Sequence, residues 1–188
     1  MIRLWRSRNV TAMNTHIHFD IGSSTLGRVL VALNDNGVCA ILLGDSPQAV
    51  ARELRARFPD APLTQDAARL ARAMRQVIEL IEGRRGALDL PLDPAGTAFQ
   101  QKVWRALKKI PSGSTASYTD IARRIDAPKS FRAVAQACGA NPLALAIPCH
   151  RVVRNDGGLS GYRWGVARKR TLLDNERKRA LPDRESRA

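Results

Sequence analysis

The stretch ALAIPCHRVV, residues 144–153, places a cysteine directly before a histidine, and both residue types can carry nucleophilic chemistry. A free cysteine has a pKa of about 8.5 and is mostly protonated near neutral pH, so a nucleophilic Cys149 needs a base. His150 can be that base, directly or through one water, with Glu176 as a candidate to orient the imidazole if the C-terminal helix folds back. An ordinary surface histidine fits the same pattern, so the pair alone leaves both interpretations open.

The elements around this pair follow from local patterns. The residue before a proline prefers extended backbone, so residues 143–147 (LALAI) are expected to form a short strand that leads into a turn. The glycine-rich residues 155–164 are expected to form a hairpin or wing. Residues 165–179 are expected to form a terminal helix with Leu172 and Leu173 facing inward.

Three helices are predicted upstream, over residues 97–110, 117–125 and 130–138. The last two are short and are joined by the tight connection APK. Two such helices suggest a helix-turn-helix whose second helix, residues 130–138, reads DNA. Two helices that pack in an ordinary core have a similar pattern.

The first half of the chain has the pattern of a small α/β module without catalytic motifs. Asn36-Gly37 lies between two apolar runs and predicts a hairpin. Ser46 and Pro47 have the residue types of a helix cap and first helical position. We predict strands over 27–33 and 38–44, helices over 46–58 and 64–83, and a strand over 87–94.

Bulk composition is that of a soluble globular protein of one domain or two small ones, with 188 residues, 44% hydrophobic and 26% charged. No apolar run reaches the roughly 20 residues of a membrane span, and the start lacks the apolar stretch of a signal peptide. We therefore expect a cytoplasmic protein without membrane contact.

The chain has three cysteines, Cys39, Cys138 and Cys149, and so few suggest free thiols. Cys39 is expected to be buried and inert, and Cys138 to be a packing residue. No zinc spacing is present, and we predict no metal and no other cofactor.

Positive charge is concentrated in the second half. Residues 94–188 hold 19 Lys and Arg against 7 Asp and Glu, whereas residues 1–93 hold 12 against 10. A solvated surface explains scattered basic residues, but an imbalance confined to one half indicates a polyanionic partner. Nucleic acid is the leading candidate, ahead of an acidic membrane surface.

Several motifs together resemble the O6-alkylguanine-DNA alkyltransferase family. They are SYTDIARRI, FRAVAQAC, GANP, IPCHRVV, GYRWG and LLDNE, which cover the second half continuously. The first half is similar, in LGRVLVAL and GVCAILLGD, to the C-terminal half of the bacterial adaptive-response protein Ada. The cysteine-rich zinc module of full-length Ada has no counterpart here, so we expect neither phosphotriester repair nor an Ada-type transcriptional switch.

The resemblance implies an α/β (α+β) fold of two domains. A small ribonuclease-H-like domain would span residues 14–93 and a mostly helical winged helix-turn-helix domain residues 94–180, between flexible tails at 1–13 and 181–188. The implied activity is irreversible transfer of an alkyl group from O6-alkylguanine in duplex DNA to the protein, one turnover per molecule. O4-alkylthymine is left open as a second substrate.

The resemblance also assigns the catalytic residues. Cys149 would accept the alkyl group, His150 would take its proton through a bound water, and Glu176 would hold the imidazole. Tyr118 would donate a hydrogen bond to the purine as the oxygen leaves, although a core tyrosine fits the same position.

Further positions would contact the substrate or the DNA. Arg132 would enter the base stack in place of the flipped guanine, and Asn141 would tie the recognition helix to the active turn. Tyr162 and Arg163 would form a lid over the base. Arg163 and Trp164 agree with the Ada type, and their bulk beside the pocket would favour methyl over larger alkyl groups. The small side chains Ala133, Ala135 and Ala137 would permit close approach to the minor groove, and Ser117 and Arg151 complete the set of expected substrate and DNA contacts.

Two other functions fit parts of this pattern. A non-catalytic DNA-binding module, either a winged-helix regulator or an alkyltransferase-like damage sensor, explains the basic helices, but the sensors lack the acceptor cysteine that this chain keeps. A cysteine hydrolase usually takes its histidine from a distant position and has no need of a basic helix-turn-helix. Duplex DNA with O6-alkylguanine, bound by a monomer, is the partner that we predict.

Overall fold

The computed structural model describes residues 16–180 of the chain. The tails predicted over residues 1–13 and 181–188 lie outside the described residues. Within residues 16–180, no helix combines the length and apolar character that a membrane span requires.

A four-stranded sheet forms the centre of the first half. Its strands are β1 (Ile17–Ser24), β2 (Gly27–Asn34), β3 (Gly37–Gly44) and β4 (Leu63–Gln65), in the order β3-β2-β1-β4. Strand β4 runs parallel to β1, and the other neighbours are antiparallel. Strands β2 and β3 confirm the predicted hairpin, in which the Asn34 side chain accepts hydrogen bonds from the N–H groups of Asn36 and Gly37. Strands β1 and β4 were not predicted.

Two helices pack against this sheet, α1 (Pro47–Arg57) and α2 (Ala67–Ile81). Both were predicted, and Ser46 caps α1 as expected, because its hydroxyl accepts a hydrogen bond from the N–H of Ala49 at 3.2 Å. The strand predicted over residues 87–94 is wrong. Only Leu92 pairs there, in an isolated bridge to Val38, because Pro91 and Pro94 have no N–H to donate to a longer ladder.

The second half is mostly helical. Its elements are α3 (Ala98–Leu107), β5 (Ala116–Ser117), α4 (Tyr118–Arg124), α5 (Phe131–Gly139), β6 (Val152–Val153) and α6 (Val166–Ala180), with a 3-10 turn at Cys149–Arg151. Helices α3, α4, α5 and α6 confirm the four predicted helices, and β5 pairs in parallel with β6. Residues 155–164 contain a tight turn at 154–158 and no strand, so the hairpin alternative is wrong and the segment is an irregular loop.

Strand β3 connects the two halves directly. The N–H of Ile41 donates to the carbonyl of Pro142, and the carbonyl of Ile41 accepts from the N–H of Ala144, at 2.9 and 3.0 Å. One continuous apolar core runs through both halves. The sheet therefore fixes the segment that enters the Cys149 turn, and the first half supports the position of the thiol.

Candidate active site

The segment before Cys149 is a compact turn, so the strand predicted over 143–147 is wrong. Leu145 has a φ of +63°, which a strand does not contain, and the N–H of Ile147 donates to the carbonyl of Leu143 at 3.0 Å. The N–H of Cys149 then donates to Ile147 at 2.8 Å. This chain path points the thiol inward, where Cys149 is 4% exposed.

Asn141 ties helix α5 to this turn. Its amide nitrogen donates to the carbonyl of Ile147 at 2.8 Å and to Sγ of Cys149 at 3.1 Å. Its amide oxygen accepts from the N–H of Leu143 at 2.9 Å. Because Asn141 is fully buried, these bonds satisfy polar atoms that water does not reach. The sequence expectation placed Asn141 in this linking position.

Burial controls the protonation of Cys149. Burial raises the pKa of the thiol to about 11, although the hydrogen bond from Asn141 and the charge of Lys169 act in the opposite direction. The thiol is therefore protonated at neutral pH in the free protein. A reaction at Sγ requires removal of its proton, which makes a neighbouring base necessary.

His150, Glu176 and Arg151 form a buried polar group beneath the turn. Helix α6 folds back and brings Oε1 of Glu176 to 2.9 Å from Nε2 of His150. Arg151 holds the same carboxylate with two nitrogens, Nη2 to Oε1 at 2.8 Å and Nε to Oε2 at 3.0 Å. The backbone N–H of Gly113 adds a fourth donor at 3.2 Å.

Burial and these contacts determine the protonation states of Glu176 and His150. Burial raises the pKa of Glu176, but the hydrogen bonds and charges of His150 and Arg151 outweigh it and hold the value at about 2. Burial lowers the pKa of His150, against the opposing effect of Glu176. At neutral pH the pair is therefore an ionised carboxylate and a neutral imidazole. Because a carboxylate only accepts, Nε2 carries the imidazole proton and Nδ1 presents a lone pair.

Cys149 lines a cavity of about 450 Å³ on the other side of the turn. The sequence-predicted residues on its wall are Tyr118, Ala135, Tyr162 and Arg163, together with Cys138, Gly139, Ser160 and Gly161. Cys138 is thus both a packing residue and part of the wall. His150 and Glu176 line another cavity of about 300 Å³.

Tyr118 shares a hydrogen bond of 2.7 Å with the hydroxyl of Ser160 across this cavity. Burial raises the pKa of the phenol, which therefore stays protonated and able to donate. Ser117 caps helix α4, and its hydroxyl donates to Asp120 at 2.7 Å. The predicted DNA-contact residues Arg132 and Ala133 lie on α5, outside the cavity wall, with Arg132 exposed.

Comparison with known proteins identifies the family. Residues 17–94 match the ribonuclease-like domain of 6-O-methylguanine DNA methyltransferase, and residues 98–178 match its DNA binding domain. The inducible methylated-DNA–protein-cysteine methyltransferase of Bacillus subtilis is 44% identical over 124 residues, 66% of this chain and 69% of that protein. This chain belongs to the 6-O-methylguanine DNA methyltransferase family. The resemblance inferred from the motifs is confirmed.

Two more members of this methyltransferase family agree with that assignment. The regulatory protein Ada of Salmonella typhimurium is 52% identical over 163 residues, which are 87% of this chain and 46% of Ada, so the chain spans about half the length of that relative. The structure of Mycobacterium tuberculosis OGT in complex with DNA superposes with a TM-score of 0.74 and 35% identity, covering 86% of this chain and 94% of that one. The predicted arrangement of a ribonuclease-like and a helical DNA-binding unit is confirmed.

Lys169 is a site residue that the sequence analysis missed. It is fully buried on α6, and its ammonium donates to the carbonyl of Val152 at 2.6 Å and lies 3.5 Å from the carbonyl of Ser160. It forms no ion pair with any carboxylate of residues 16–180. Its charge lowers the pKa of Cys149 and so favours the thiolate. A lysine in the run ARKRTLLDNERKR has the pattern of a solvated residue, so no local signal marked it.

Arg163, one of the residues predicted to form a lid, is anchored to the first half. Arg163 donates to Glu53 on α1 at 2.7 Å and to the carbonyl of Gly139 at 3.0 Å. Trp164 is buried and packs edge-on against Tyr162, with ring centres 5.2 Å apart, so it supports the cavity wall from behind. Glu53 carried no functional signal in the sequence, because its partner is 110 residues away.

Among residues 16–180, no group of three or more His, Cys, Asp or Glu side chains is placed to hold a metal ion.

Proposed function

We propose that this protein repairs alkylated DNA by direct reversal. It transfers the methyl group of O6-methylguanine in duplex DNA to Sγ of Cys149. The observation that carries the proposal is a buried thiol on a cavity wall, backed by a His–Glu pair, in a chain of the methyltransferase family. O4-alkylthymine presents a similar alkoxy carbon and is the second substrate to test.

The chemistry is a displacement at the methyl carbon. A bond forms between Sγ of Cys149 and the carbon, and the bond from that carbon to the guanine O6 breaks. The thiol proton passes through one water to Nδ1 of His150, whose lone pair is available because Nε2 is committed to Glu176. Tyr118 donates a hydrogen bond to the purine as negative charge develops on it. The product is a thioether, so each molecule acts once.

Lys169 and Asn141 support the thiolate that forms during this step. The N–H of Asn141 already points to Sγ at 3.1 Å, and the Lys169 charge favours the ionised sulfur. These groups need no rearrangement when the proton leaves. Fixed donors and charges in a dry site stabilise a developing charge more strongly than water does.

Access to the cavity requires rotation of the damaged nucleotide out of the duplex. Unstacking and unpairing cost a few kcal/mol, and less for a damaged base that pairs poorly. Arg132 would fill the vacated position, while the small side chains Ala133 and Ala135 let α5 approach the minor groove. The excess of basic residues after residue 94 would supply phosphate contacts, so binding should fall steeply with salt. A monomer carries the complete set of these groups.

We propose that the chain consists of two domains, residues 14–93 and 94–180, with different roles in the reaction. The second unit carries the reacting groups and the DNA-binding helix. The first unit holds the turn through Ile41 and the lid through Glu53.

The experiment is a repair assay on a duplex with one O6-methylguanine. Loss of the modified base is measured by chromatography after DNA digestion. Wild-type protein should remove it in proportion to protein added, Cys149→Ala should remove none, and His150→Ala should be slowed by about a hundredfold or more, the typical contribution of a positioned base. Unchanged repair by Cys149→Ala would refute the proposal.

A further inference from the structure

Phe131, at the start of helix α5, is a large apolar side chain that is exposed to solvent. It is 44% exposed, and Val166, at 40%, is the other large apolar side chain exposed to this degree among residues 16–180. Exposed aromatic area is unfavourable in water and commonly marks a binding surface. Phe131 is adjacent to Arg132, which is predicted to enter the base stack, so DNA is the partner that this exposed ring would contact.

The surroundings of the ring combine apolar surface with positive charge. The guanidinium of Arg132 lies 5.7 Å from the ring centre, within the range of a cation–π contact. Phe131 lines a shallow pocket of about 340 Å³ with Thr119 and Arg154. Asp156 also lines it, but its carboxylate pairs with Arg154 at 3.1 Å. Lys129, two residues before Phe131, is exposed and adds another cation.

Helix geometry relates this ring to the reactive cavity. Phe131, Ala135 and Gly139 follow each other at intervals of four residues, so they share one face of α5. Ala135 and Gly139 line the Cys149 cavity. One interval corresponds to about 6 Å along the helix. Bases of one strand are about 3.4 Å apart, so Phe131 lies about two base steps from the position of a nucleotide turned into the cavity.

We propose that Phe131 is a second intercalating side chain, which packs against a base pair about two steps from the extruded nucleotide. The inference deepens the proposed function and rests on it for the location of the flipped base. An apolar wedge within a positively charged rim is the combination by which minor-groove proteins unstack base steps. The cation–π contact also holds the Arg132 guanidinium beside the ring, so the pair enters the groove as one unit.

The test separates binding from alkyl transfer. Binding of an O6-methylguanine duplex is measured by fluorescence anisotropy in a Cys149→Ser background, with and without Phe131→Ala, over a range of salt concentrations. Stacking of one base on an aromatic ring predicts binding weaker by about tenfold. The slope of log affinity against log salt should not change, since no phosphate contact is removed. Val166→Ala is the matched control and should bind like the parent.

A second measurement excludes a purely structural effect. In the Cys149-containing protein, Phe131→Ala should react with free O6-methylguanine base at the wild-type rate and with the duplex more slowly by about the factor lost in binding. Phe131→Leu, which keeps an apolar wedge, should recover part of the loss. Equal slowing on base and duplex, unchanged duplex binding, or a changed salt slope would each overturn the proposal.

The two proposals fail differently. If wild-type protein transfers no methyl group to either substrate, the proposed function fails, while the anisotropy data still decide whether Phe131 contacts DNA.

Discussion

Replacement of Glu176 by Gln tests whether one carboxylate stabilises the site as the structure indicates. The pKa of Glu176 falls from an ordinary 4.5 to about 2 in the folded protein. At about 1.4 kcal/mol per pH unit, this corresponds to about 3 kcal/mol of folding free energy at neutral pH. Loss of one partner of a buried ion pair has a similar magnitude, because Arg151 would keep its charge without a carboxylate.

The sign of the pH dependence follows from the lowered pKa. The contribution is complete above pH 4.5, where the carboxylate is ionised even in the unfolded chain, and it disappears as the pH falls towards 2. Glu176→Gln should therefore lose about 3 kcal/mol at pH 7, or about 6–12 °C in Tm for a protein of this size, and much less near pH 2.5.

The assay is urea unfolding followed by circular dichroism at both pH values. Glu79→Gln is the control, because Glu79 pairs with Arg85 at 3.0 Å in a partly exposed position, where an ion pair contributes about 1 kcal/mol or less. A Glu176→Gln loss below about 1 kcal/mol at pH 7, or a loss that is equal at both pH values, would refute the reasoning.

Three more predictions concern reactivity. Lys169→Met should raise the pKa of Cys149 further and slow its alkylation by iodoacetamide several-fold at pH 8, because the Lys169 charge favours the thiolate. If the variant and the wild-type protein are alkylated at the same rate at each pH, this prediction is contradicted. The rate of methyl transfer should stay constant as the pH falls to 6.5 and somewhat below, and should decline only at more acid pH, because burial lowers the pKa of His150 and keeps the imidazole neutral. A rate that begins to decline above pH 6.5 would contradict this. Glu53→Gln should slow transfer by about fivefold, as expected for about 1 kcal/mol from a partly exposed charged contact with Arg163. Arg163→Gln should match it, and the double variant should lose no more than either alone if the two residues act as one unit.

The sequence predicted turns and helix starts that depend on a few neighbouring residues. The Asn36-Gly37 turn and the Ser46-Pro47 cap identified a hairpin and a helix start, and both are present. The segment 143–147 was mispredicted, because extended preference before Pro148 was extrapolated to a whole strand. A positive φ at Leu145 and two backbone bonds to β3 decide its conformation instead.

The candidate site was predictable where motif and chemistry coincide. Cys149 and His150 are adjacent in sequence, and the motif set pointed to Glu176 on the terminal helix. Lys169 and Glu53 were not recognised, because charged residues on helices usually face solvent and their roles here depend on tertiary contacts. Burial of Lys169 without an ion pair to any carboxylate of the described residues becomes visible only when the chain is folded.

The central claim is that the thiol of Cys149 is consumed by the methyl group that it removes. Intact-protein mass, measured after reaction with an excess of O6-methylguanine duplex, tests it most directly, with peptide mapping to locate the change. We expect one methyl group to replace one hydrogen, at Cys149, and the gain to stop at one per molecule. Unmodified protein after the DNA has been repaired, or a methyl group on another residue, would contradict it.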